Sequence, residues 1–80
     1  MRIEVLGPGC RRCHDTFDRV REVLDELKLE AELVKITDIF EIIDKGISVT
    51  PTLIVDGKVK LQGKVPSATE IRNLLLEAKG

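Results

Sequence analysis

Val49-Thr50-Pro51-Thr52-Leu53-Ile54-Val55-Asp56-Gly57-Lys58-Val59-Lys60-Leu61 is the stretch whose reading decides the fold. Residues 52–55 and 58–61 are β-type runs, and Asp56-Gly57 stands between them. Such a pair between two such runs is the strongest short-range hairpin signal, because both central positions of a type I′ turn need positive φ. Ahead of the hairpin comes Thr50-Pro51. A proline at the start of a strand needs a reason, and a cis bond in a tight connector is one.

Working outward, residues 3–6 (Ile-Glu-Val-Leu) form a short strand, apolar enough to be central, and Gly7-Pro8-Gly9 breaks it. From Cys13 onward, Phe17, Val20, Val23, Leu24 and Leu27 recur at the spacings of one helical face. Arg19, Arg21, Glu22, Asp25 and Glu26 take its solvent side. Residues 31–36 alternate as a second strand. Asp38 caps a second helix, with Glu41 completing a capping box and Ile39, Phe40, Ile42 and Ile43 as its apolar face. Gly46 ends that helix. After the hairpin, Ser67 and Glu70 form the capping box of a last helix, whose buried stripe is Ile71, Leu74, Leu75 and Ala78. The expected order is therefore β-α-β-α-β-β-α. A right-handed crossover makes the first two strands parallel, and the hairpin adds two antiparallel ones. One α/β domain over residues 1–80 follows, a four-stranded mixed sheet with helices on both faces.

Composition narrows the function. Eighty residues with 42% apolar content suffice for one small core. With two Phe, no Trp and no Tyr, base stacking has no platform, and a net charge of -1 gives phosphates no attraction. Nucleic acid is not an expected partner. No run is apolar for the ~18 residues of a membrane span. Met1-Arg2 leads into an apolar run too short for a signal peptide. A cytoplasmic protein is expected. There a close cysteine pair is more often catalytic or metal-binding than a staple.

The two cysteines are Cys10 and Cys13, with Arg11-Arg12 between them. Cys10 falls where the first helix begins, so orphan N–H groups and the helix dipole favour its thiolate. Cys13, one turn on, is placed to resolve a mixed disulfide on Cys10. Arg11 and Arg12 either lower the Cys10 pKa further or are exposed cations with screened effects. His14 modulates the site, adds a metal ligand, or stands in solvent. One histidine and two cysteines are too few for a closed zinc site. The same two thiolates also suit a soft metal, so a Cu(I)- or zinc-binding or delivery module is the alternative reading. An interaction domain with a vestigial pair is a third.

A strand–loop–CxxC–helix start also occurs in ferredoxin-like copper chaperones. Three features separate this chain from them: the hairpin is late, no Met precedes the first cysteine, and Thr50-Pro51 precedes a strand. With these features the sequence resembles the thioredoxin fold in minimal form, and more narrowly the small thioredoxin- and glutaredoxin-like redox-active disulfide proteins of bacteria and archaea. The likeness runs through the Ile3–Gly7 start, Cys10-x-x-Cys13, Thr50-Pro51, 55–59, Gly63 and 65–71. It implies a thiol–disulfide oxidoreductase with Cys10 as nucleophile and Cys13 as resolving cysteine. It further implies a cis Pro51, Thr50 offering its backbone to a substrate strand, and Gly63 bordering that groove. No bound cofactor and no metal are implied beyond the redox-active pair. The expected partners are protein disulfides and an electron-donating reductase or dithiol, the chain acting as a monomer. Glutathione is a poor fit, because Gly63-Lys64-Val65-Pro66-Ser67 lacks the Gly pair and the acid that hold it in glutaredoxins. The buried acid of thioredoxins has one counterpart, Glu4, which either takes that part or reaches solvent from the strand end.

Overall fold

The computed structural model describes residues 1–9 and 11–79, the side chain of Lys79 excepted. The elements are β1 (Arg2–Leu6), α1 (Arg11–Leu27), β2 (Glu32–Ile36), α2 (Ile39–Asp44), β3 (Thr52–Val55), β4 (Lys58–Gln62) and α3 (Ala68–Lys79). The sheet order is β2-β1-β3-β4. β1 runs parallel to β2 and antiparallel to β3, which pairs antiparallel with β4. This is the minimal thioredoxin-like α/β fold, with its four-stranded mixed sheet and three helices.

Strand alternation divides the core in two. Ile3, Val5, Leu53 and Val55 face one way and pack with Val20, Val23 and Leu24 of α1 and Ile71 and Leu75 of α3. Leu6 and Ile54 face the other way, toward Ile36, Ile42 and Ile47. The hairpin turn has positive φ at both Asp56 and Gly57, as a type I′ turn requires. Arg2 N–H donates to Asp56 Oδ1 at 2.8 Å, which ties the turn to the start of β1.

Two of the expected helix faces need correction. On α2 only Ile42 is buried, while Ile39, Phe40 and Ile43 stand 47%, 75% and 60% exposed. A helix of six residues turns one narrow stripe to the sheet, so neighbours on either side of Ile42 point away. On α3, Ala78 is exposed. The ends of α2 follow their local chemistry. Asp38 Oδ1 accepts from Phe40 N at 2.9 Å, but among the described residues no Glu41 side-chain bond completes the box. At the other end Gly46 N donates to Ile43 O and Ile47 N to Ile42 O, a Schellman motif with Gly46 at φ +77°. Its apolar clasp is Ile47 on Ile42, and this turn leads the chain back toward residues 49–51. The Ser67–Glu70 box on α3 forms, with Glu70 N donating to Ser67 Oγ and Ser67 N to Glu70 Oε1.

Candidate functional site

The site lies at the end of β1 where the chain leaves the sheet. Gly7 N donates to Ile36 O at 2.9 Å, so the chain is still sheet-bonded one residue past β1. α1 then begins at Arg11. Cys10, read above as the nucleophile, lies outside the described residues. Cys13 is in the first turn of α1 and is 1% exposed. Gly7 is what makes room for it. A Cβ on Gly7 would fall 2.0 Å from Cys13 Sγ and 2.7 Å from its Cβ. Thr16, also buried, donates its hydroxyl to Arg12 O at 2.8 Å and fixes the backbone of that turn.

Opposite stands the connector into β3. The Thr50–Pro51 peptide bond is cis. Pro51 is buried, Thr50 half-buried. The Thr52 hydroxyl donates to Val49 O and folds the connector on itself. Gly63, the residue after β4, donates its N–H to Pro51 O at 2.9 Å. Its φ is +75°, and a Cβ there would meet Val49 Cγ1 at 2.8 Å. Only glycine satisfies both conditions. Arg12 closes the arrangement: its Nη2 donates to Gly63 O at 3.0 Å. Three segments distant in sequence, at residues 7–13, 49–52 and 63, thus converge.

The thioredoxin-domain family matches residues 1–76 of this chain. The chain belongs to that family. Two archaeal proteins, each called thioredoxin, are similar along nearly their whole length. The one from Methanocaldococcus jannaschii is 38% identical over 73 residues, which cover 91% of this chain and 84% of that protein. The one from Methanothermobacter thermautotrophicus is 37% identical over 75 residues, covering 94% and 97%.

Within this thioredoxin domain the remaining predicted residues separate. Glu4 does not reach solvent from the strand end. It is 6% exposed, its β1 neighbours in register being Val34 and Ile54. The strand alternation turns it to the α2 face, where Lys45 Nζ lies 3.2 Å from Oε2 and Arg2 Nε 3.8 Å from Oε1. The Lys45 contact is an ion pair without hydrogen-bond alignment. His14 is exposed, with Asp18 Oδ2 3.1 Å from Nε2 and Lys35 Nζ 3.4 Å from Nδ1. A proton on Nε2 satisfies both contacts. Arg11 is exposed and makes no side-chain bond among the described residues. Among the described residues no group of three or more His, Cys, Asp or Glu is arranged to hold a metal, and no helix is long and apolar enough to cross a membrane.

Sequence reasoning did not reach Gly7 as the partner of Cys13, Thr16, Lys45, or the Arg12–Gly63 bond. Gly7 lies within a glycine-rich turn that explains itself without Cys13. The Arg12 contact spans 51 residues and leaves no periodic trace.

Proposed function

We propose that this thioredoxin domain is a cytoplasmic thiol–disulfide oxidoreductase acting on protein disulfides. Family membership and the two archaeal thioredoxins support that chemistry in general. The roles within it are assigned as follows. The Cys10 thiolate attacks one sulfur of the substrate disulfide, and the second substrate sulfur leaves as a thiolate. The Cys13 thiolate then attacks Cys10 Sγ, forming the Cys10–Cys13 disulfide and releasing the first substrate sulfur. Two electrons pass to the substrate, whose thiolates take up two protons. A reductase or a small dithiol returns the electrons, and no bound cofactor takes part.

The observation that carries this division of roles is the burial of Cys13 against Gly7. A thiol enclosed in this way is poorly placed to meet a protein substrate, which leaves it the resolving role toward the cysteine three positions earlier in the sequence. Thr50, Pro51 and Gly63 form the groove for an extended substrate strand. Glu4, with Lys45 beside it, takes the Cys13 proton. In that role Glu4→Gln slows resolution and removes a carboxylate limb from the pH–rate profile. A profile identical to the parent's would take Glu4 out of the mechanism.

The test is reduction of an insulin-type disulfide with dithiothreitol as donor, together with trapping. Cys13→Ser accumulates a mixed disulfide with the substrate, visible by mass spectrometry, and Cys10→Ser accumulates none. An inactive parent protein that binds Cu(I) tightly and stoichiometrically would replace this function with metal delivery.

A further inference from the structure

The two arginines between the cysteines carry the same charge but differ in what they touch. Arg11 has no side-chain partner among the described residues, while Arg12 donates to Gly63 O at 3.0 Å. Seven residues further along α1, Arg19 Nη1 donates to Pro66 O at 2.9 Å. Positions seven apart lie on one helical face. α1 therefore holds the loop between β4 and α3 at two points, residues 63 and 66. The Gly63 end is the one that bears on the groove, because Gly63 also donates to Pro51 O and abuts Val49.

We infer that Arg12 is a positioning residue for substrate selection: it straps the Gly63 wall of the groove to the first turn of α1, and so favours disulfides carried on an extended polypeptide. This inference rests on the oxidoreductase function proposed above. The strap acts on groove shape rather than on thiol reactivity. A substrate that lies along the connector needs the wall in place. A small disulfide that meets only the sulfur does not. Among the described residues the Arg12 guanidinium bonds Gly63 O through one nitrogen, which leaves its other N–H groups to a substrate's backbone carbonyls.

The test compares Arg12→Met with Arg11→Met. Each removes one charge beside the cysteines and keeps the aliphatic stem, but only the first removes the strap. kcat/KM is measured for insulin and for a small aromatic disulfide. Arg12→Met is expected to lose at least about fivefold more on insulin than on the small disulfide, the scale of one solvent-exposed hydrogen bond. Arg11→Met is expected to change both rates by the same factor. Hydrogen exchange at the Gly63 amide supplies a readout independent of turnover: it accelerates in Arg12→Met and not in Arg11→Met. Equal losses on both substrates from Arg12→Met, or an unchanged Gly63 amide, would overturn the assignment. A parent protein that reduces neither substrate, with the exchange result intact, would remove the oxidoreductase function and leave the strap as structure.

Discussion

Gly7 and Cys13 occupy space that admits no further atom. A Gly7→Ala methyl would lie 2.0 Å from the Cys13 sulfur, and neither the strand end nor the first turn of α1 is free to give way. We expect a loss of about 1–3 kcal/mol, as in other overpacked sites, measured by urea denaturation. Cys13→Ala in the same background should restore part of it, since the clash is with Sγ first. At Glu4 the expectation concerns the partner. Lys45→Met leaves a buried carboxylate with only the longer Arg2 contact, and should cost about 1–3 kcal/mol. Much of this scale was legible in the sequence. Cys13 and Pro51 announce themselves by residue type, the one through its spacing from Cys10 and the other as a proline at a strand start, while Thr50 and Gly63 came from the family resemblance. Gly7 opposite Cys13 and Lys45 beside Glu4 do not, because those contacts exist only after a crossover has brought the segments together.

Among the elements, α2 is where pattern and packing part. Ile39, Phe40, Ile42 and Ile43 read as one apolar face, yet a six-residue helix offers the sheet a single side chain. Ile42→Ala is therefore expected to cost about 2–5 kcal/mol, while Phe40→Ser should stay within about 0.5 kcal/mol. Thermal melts of the two variants would show the contrast directly. α1 poses the reverse case. Its seventeen residues are long enough for the 3.6-residue period to select the buried set, and Val20, Val23 and Leu24 follow it. At the start of α3 the Lys64 ammonium, bonded at 2.7 Å, and then the Ser67 N–H hold the Glu70 carboxyl below its ordinary value. A lowered folded-state pKa stabilises fully above the ordinary carboxylate range and is lost as pH falls through the lowered value. Glu70→Gln should accordingly flatten the acid side of the stability curve, seen as a smaller drop in Tm between neutral and acidic buffer.

For the molecule as a whole, the element order carried the topology. A late hairpin after two helices leaves β1 and β3 as the strands that pair on both sides, with β2 and β4 outermost. The placement of each side chain relative to the opposite segment needed the three-dimensional structure, because long-range registers such as Ile3 with Val55 are set by the whole sheet rather than by a local rule.

The outermost position of β4 has a consequence for behaviour at high concentration. An open sheet edge is a template for another chain, and Val59 at 47% exposure already adds stickiness to it. Against this stand Lys58, Lys60 and a register shift opposite Leu53/Ile54 that breaks the flat ladder. Replacing Lys58 and Lys60 together by Val would turn a guarded border into an adhesive one. Sedimentation velocity should then show concentration-dependent self-association beyond that of the parent, while the circular dichroism of dilute samples stays the same.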